Sequence, residues 1–359
     1  MNRLLRAFAT AVHPVLPQWF ACAAVALAVT AAAGPNVAVA QDGAPQAKAT
    51  ADAPYVQHEI KIPSSRDKSL QAARLDVPKS YKPDGAPVPL VVLLHSWSAD
   101  YKQGNSALER MAGQAGWLLV MPNFRGPNRV PSALGSPLAQ QDILDAVDWV
   151  VERYRVDQSR IYLCGVSGGG HMTMLMAGKY PKRWRAASAW VGISDVASWH
   201  TLHENDRYGQ NMRDACGGRP GDSPEVDAQY RARSPLTFLA NVGDLPLDLG
   251  HGVHDGHTGS VPIRHSLDAF NAVVKGHVSA GQPDATITEE EIQQLSQRNG
   301  RLKAPKEGDE LLDAAWGRQI YLRRQSGNTR VSIFEGGHEG IAAAMMDWFM
   351  KHGGKEVKE

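Results

Sequence analysis

The stretch "RIYLCGVSGGGHMTMLMAG", residues 160–178, constrains the fold more than any other part of the chain. A run of strand character enters four glycines set around one serine and leaves as a run of helical character. Reversing a strand into a helix within a few residues strains the central residue and needs small neighbours on either side. Gly165 and Gly168 or Gly169 are those neighbours, so "GVSGG" has the form G-x-S-x-G. Such a turn holds the Ser167 hydroxyl at the carboxyl edge of a sheet, with the next amide aimed at the same space. A dinucleotide loop requires G-x-G-x-x-G and a phosphate loop G-x-x-x-x-G-K followed by Ser or Thr; neither occurs here. The plain alternative is an idle serine in a glycine-rich turn.

From Tyr55 onward, apolar runs of strand length alternate with amphipathic runs of helical spacing, the pattern of an α/β sheet covered on both faces. Residues 90–94 are continuously apolar, as a central parallel strand requires. Further strands are expected over 116–123, 160–165, 186–194, 245–252 and 329–337. Ile143, Ala146, Val147 and Val150 recur at helical spacing and predict a crossover helix; 263–274 and 341–351 predict two more. The expected fold is a mostly parallel, doubly wound sheet, with sites at the carboxyl ends of its strands. Two stretches break the rhythm, 199–233 and 276–317, the second carrying a short helical run, "TEEEIQQLSQ". Insertions of that length on an α/β core build lids or substrate walls.

Arg3 and Arg6 precede an apolar, alanine-rich run over 20–33, and "AVA" ends at Ala40. These are the parts of an export signal cut after residue 40, with an uncleaved anchor as the alternative. Residues 41–54 read as a polar, disordered lead-in. The expectation is a periplasmic or secreted domain over 55–353, with no membrane span once the signal is removed. Two cysteines then remain, Cys164 and Cys216, which an oxidising compartment allows to pair; a strand cysteine also serves as a small buried apolar residue. The 38 basic and 37 acidic residues nearly cancel and are scattered, which disfavours nucleic acid or an acidic membrane surface as partner.

A serine nucleophile needs a base to take its proton and an acid to orient that base. On such a fold they follow in the order Ser, Asp or Glu, His, each just past a strand. "LDLGHGVHD" supplies Asp255 and "SIFEGGHEG" supplies His338. Asp195, past the strand at 186–194, is the alternative acid.

These segments, "GVSGGG", "HGVHD" with Val261 and Pro262 downstream, and "GGH", resemble the α/β-hydrolase superfamily. Within it the chain is similar to the prolyl oligopeptidase catalytic domain and its stand-alone esterase relatives. The resemblance implies an α/β-hydrolase fold with two inserted cap segments, and Ser167, Asp255 and His338 as nucleophile, acid and base. It departs where "GHTGS" separates the acid from Val261, a gap the family often fills with two residues. The chain also has no room for the family's substrate-filtering β-propeller. An oxyanion hole needs two amide donors. Gly168 is one; the second is expected from "HSWSADY", at the amide of Trp97 or else Ser98, with the Trp97 ring either lining an acyl pocket or packing beneath the loop.

The implied reaction is acyl transfer without a cofactor, on a small ester or short peptide; the resemblance favours peptide cleavage, the missing propeller an extracellular ester. His251, His254, Asp255 and His257 resemble a metal site in composition, but no H-E-x-x-H helix accompanies them. His254 and His257 flank the acid, and His171 is expected at the helix–sheet junction. A catalytically inactive hydrolase fold is the remaining alternative.

Overall fold

The structure, a computed structural model, describes residues 54–354. The signal reading of 1–40 and all but the last residue of the 41–54 lead-in fall outside the described residues.

The central sheet contains, in chain order, β1 (Tyr55–Pro63), β2 (Leu70–Pro78), β3 (Val88–Leu94), β4 (Leu118–Pro122), β5 (Val156–Val166), β6 (Ala186–Trp190), β7 (Leu247–Gly252), β8 (Leu311–Asp313), β9 (Arg318–Ser326) and β10 (Thr329–Phe334). Their spatial order is β1-β2-β4-β3-β5-β6-β7-β10-β9-β8. The block from β4 to β10 is parallel throughout. The β1–β2 hairpin flanks it antiparallel on one side, and β9 with β8 on the other.

Side chains alternate along these strands as the pleat dictates. Leu90, Val92 and Leu94 of β3 enter one core, shared with α2 (Pro137–Arg153), α3 (Gly168–Lys179) and α7 (Arg264–Ser279). Val91 and Leu93 enter the opposite core, shared with α1 (Ser106–Gln114) and α9 (Ala342–Lys351). Each such buried aliphatic side chain contributes roughly 2 kcal/mol relative to exposure. The crossover helix α2 begins at Ser136, whose hydroxyl accepts the Ala139 amide, with Pro137 in its first turn. It buries Ile143, Ala146, Val147 and Val150, the face its spacing predicts.

The chain leaves β3 toward α1 on one face and leaves β5 toward α3 on the other. The strand order therefore reverses between β3 and β5, and the crevice where ligands bind in such sheets opens at their carboxyl ends.

The 199–233 segment folds as helices: α4 (Val196–Leu202), α5 (Arg207–Cys216) and α6 (Pro224–Arg233). They form a third apolar cluster around Trp97 and Trp199. The second insertion carries α8 (Glu289–Leu295), opened by a reciprocal capping box between Thr288 and Glu291. It starts later than expected, because α7 continues to Ser279. Gly276 permits this: a β-carbon there would lie 2.9 Å from the α-carbon of Ala240.

Candidate active site

Ser167 links β5 to α3 at φ 61°, ψ −119°, a region that costs a non-glycine residue about 1–3 kcal/mol. Two backbone bonds hold it there: its amide donates to the Trp190 carbonyl, and its carbonyl accepts the His171 amide, each at 2.9 Å. Packing prevents relaxation, since a β-carbon on Gly165 would stand 2.5 Å from the Gly169 carbonyl carbon. Serine is a favoured helix N-cap. Ser167 occupies the N-cap position of α3, yet its hydroxyl makes no capping bond. The side chain is 5% exposed.

On the other side of the crevice, the loop after β3 presses on the same turn. A β-carbon on Gly168 would stand 2.6 Å from the Trp97 α-carbon and nearer still to its nitrogen. The two amides expected to form an oxyanion hole are thus neighbours. Gln103 Oε1 accepts the Ser96 amide at 2.5 Å, and His95 stacks on Phe124 with ring centroids 3.9 Å apart, which fixes the loop from behind. The Trp97 ring is buried; it meets Trp199 edge-on at 4.6 Å and the His171 and Tyr208 rings at 6.3 Å. The ring thus packs against the aromatic side chains of the first insertion.

The ends of β7 and β10 bring the acid and the imidazole together. The Val253 amide donates to Phe334 O at 2.8 Å and the His254 amide to Gly336 O at 3.0 Å. His338 Nδ1 lies 2.6 Å from Asp255 Oδ2. Asp255 Oδ1 accepts the amides of Gly256 at 2.9 Å and Val261 at 3.1 Å. Burial alone would raise the Asp255 pKa; the hydrogen bonds from His251 and His338, with their charges, outweigh it and hold the carboxyl well below the usual range. Gly340, two residues past His338, abuts β5: a β-carbon there would lie 2.6 Å from Val166 Cγ2, beside Ser167.

Asp195 stands apart from this group. Its Oδ1 accepts the amides of Ala197 and Ser198 at the start of α4, a structural cap. The histidines around the acid diverge: His254 Nε2 lies 2.7 Å from Glu335 Oε1, and His257 Nε2 lies 3.1 Å from Ser296 O. Among the described residues no three His, Cys, Asp or Glu side chains are placed to share a metal ion. His171 is fully buried, with its ring toward the Trp97 ring and Nε2 2.8 Å from the Arg233 carbonyl at the end of α6, and burial pushes its pKa down to about 4. Cys164 and Cys216 are free, buried thiols in different cores; burial raises both, Cys216 to about 11.

The prolyl oligopeptidase family model, Peptidase_S9, matches residues 111–286. The chain is 28% identical over 209 residues to dipeptidyl aminopeptidase BIII of Pseudoxanthomonas mexicana, covering 54% of this chain and 30% of that enzyme. It is 41% identical over 114 residues to acetylxylan esterase A of Emericella nidulans, covering 32% of this chain and 36% of the esterase. The chain is similar to the serine hydrolases of the prolyl oligopeptidase family. Its match to feruloyl esterase B of Neurospora crassa is 31% over 175 residues, 42% of this chain and 60% of the esterase. Each match spans less than two thirds of the relative. The chain shares the α/β-hydrolase fold with an acylaminoacyl peptidase solved with Z-Gly-Gly-Phe-chloromethyl ketone, at TM-score 0.55 and 18% identity, over 85% of this chain and 42% of that one.

One neighbour of the acid is not singled out by the sequence: His251, near the end of β7, has Nε2 3.2 Å from Asp255 Oδ2. Its place in "HGVHD", four residues before the acid, was the available signal. The first insertion also reaches the acid loop, since Trp199 Nε1 at 2.9 Å and His203 Nε2 at 2.8 Å share the Ser260 carbonyl.

Proposed function

We propose that the hydrolase cleaves an ester or peptide bond through an acyl intermediate on Ser167, with His338 as general base and Asp255 as its orienting acid. The observation that carries this reading is the 2.6 Å contact between His338 Nδ1 and Asp255 Oδ2 on loops that abut the strained turn of Ser167. With its Nδ1 hydrogen directed to Asp255, the neutral imidazole keeps the Nε2 lone pair to take a proton. The Ser167 oxygen attacks the carbonyl carbon as its proton passes to His338. The amides of Gly168 and Trp97 hold the resulting oxyanion. His338 then returns the proton to the departing alkoxide or amine as the carbon–heteroatom bond breaks. Water repeats the sequence on the acyl-enzyme, and no cofactor takes part.

An ester, such as an acylated carbohydrate, is the first substrate class: the 41% identical stretch belongs to an acetylxylan esterase. The match to the prolyl oligopeptidase model favours a short peptide as the second. The export signal read over residues 1–40 supports action outside the cytoplasm, periplasmic or secreted, and sequencing the amino terminus of protein recovered from the producing cell checks that.

Activity of the purified protein and of Ser167→Ala on a short-chain p-nitrophenyl ester and on peptide p-nitroanilides tests the function. Ester turnover lost in the variant, with the anilides untouched, supports the esterase; Ser167-dependent anilide cleavage supports the peptidase. Turnover that survives in Ser167→Ala overturns the mechanism.

A further inference from the structure

His251 is a histidine at an apolar position. The alternation that sends Leu247 and Leu249 of β7 into the core beneath α3 and α7 sends His251 the same way, and its side chain is fully buried. Both ring nitrogens are nevertheless engaged. Nδ1 lies 2.7 Å from the Ser266 hydroxyl on α7, and Nε2 lies 3.0 Å from Val261 O and 3.2 Å from Asp255 Oδ2. Both neighbours of Nε2 are acceptors, so Nε2 carries the hydrogen whatever the charge on the ring. Val261 closes the arrangement, giving its amide to Asp255 Oδ1 while its carbonyl receives His251.

We infer that His251 is a positioning residue for the acid–imidazole pair, donating its Nε2 hydrogen to the same Asp255 oxygen that His338 uses. The inference rests on the proposed roles of Asp255 and His338. Four groups surround the carboxylate: the amides of Gly256 and Val261 donate to Oδ1, while His338 Nδ1 at 2.6 Å and His251 Nε2 at 3.2 Å both lie against Oδ2. A carboxylate offers about four lone-pair sites, so this one has room for the His251 hydrogen beside the bonds it already accepts, and rotating it would break at least one of them. The two imidazole donors divide the charge of one oxygen. His251 thereby weakens the pull of Asp255 on His338 and keeps the base from becoming too readily protonated. The other titratable group on α7 facing this region is His265; burial first, then the charge of His251, pushes it down to about 3. His265 therefore stays neutral across the working range. His171 on α3 and His203, just past the end of α4, are the other imidazoles that act on His265.

The test is the pH dependence of kcat/KM for a p-nitrophenyl ester in His251→Leu and His251→Gln. Leucine suits the core face and removes the donor, so Asp255 acts on His338 alone and the acid limb moves to higher pH by about half a unit or more. Glutamine restores an N–H donor and returns the limb toward wild type, which a packing role would not do. Ser266→Ala, which frees the ring, shifts the limb the same way by less and serves if His251→Leu does not fold. An acid limb unmoved in folded His251→Leu, or unmoved in Ser266→Ala when the leucine variant fails to fold, overturns the inference. Fluorophosphonate labelling separates the layers. Label on wild type but not on Ser167→Ala, beside an unmoved limb, sinks the role of His251 alone; wild type that takes no label sinks the acyl-transfer reading and the inference with it.

Discussion

The backbone of Gly168 runs so close to that of Trp97 that a single added methyl group would stand 2.6 Å from the Trp97 α-carbon. The turn that carries Ser167 and the loop after β3 are therefore fitted to one another through bare backbone. Gly168→Ala is expected to push the Trp97 amide out of line, and a lost oxyanion donor costs about 100-fold in kcat. KM should move much less, because the donor acts on charge that develops in the transition state. Steady-state kinetics on a p-nitrophenyl ester separate the two parameters.

Asp255 and Asp195 make opposite demands on an Asn substitution. Asn at 255 no longer presents a carboxylate to His338 Nδ1, and the ring can settle in the wrong tautomer, with a loss on the order of 10³–10⁴ in kcat. Asn at 195 still caps α4, so activity should stay near wild type and stability should change by less than about 1 kcal/mol. Assaying both variants in parallel would reverse the assignment if Asp195→Asn proved the damaging change.

The first insertion grips the acid loop through one carbonyl, that of Ser260, which receives both Trp199 and His203. Trp199→Phe removes one bond while keeping most of the ring, at about 1 kcal/mol. Combined with His203→Gln, the loss should differ from the sum of the single losses, because the two donors share one acceptor. A double-mutant cycle on thermal stability, with kcat recorded alongside, measures the coupling; strict additivity would show that the carbonyl is not their common point.

Glu291 fastens the second insertion to the sheet by a two-pronged contact with Arg324 of β9, at 2.9 and 2.6 Å, and Asp309 holds the same guanidinium. The hydrogen bond from Arg324 lowers the Glu291 carboxyl to about 2, despite partial burial. A folded value below the unfolded one means that the contact stabilises fully above about pH 4.3 and fades as pH falls toward the folded value. Urea unfolding from pH 6 to pH 2.5 should show a steeper acid loss in wild type than in Glu291→Gln. Equal slopes would mean the contact adds nothing.

The strands buried on both faces were legible because continuous apolar runs leave little choice, as with Leu90 to Leu94. The β1–β2 hairpin was not singled out: β1 exposes much of its length, and the polar run Gln57, His58 and Glu59 does not read as strand. The start of β5 was missed for the same reason, since Asp157, Gln158 and Ser159 precede its apolar part. Ser167, Asp255 and His338 were readable as candidates because each follows a strand end. The role suggested for His251 was not, because a strand histidine in sequence gives no sign of which nitrogen meets what.

Ser167 sits where a helix wants a cap, and does not act as one. A hydroxyl turned back to the α3 amides would steady the helix and withdraw from a substrate, so reactivity and sturdiness compete for one atom. The backbone bears a second load, since φ 61° suits glycine and not serine. A Ser167→Gly protein should therefore melt no lower than the wild type, and in the role proposed for it Ser167 keeps its oxygen ready at the expense of a little stability that the same fold could otherwise reach.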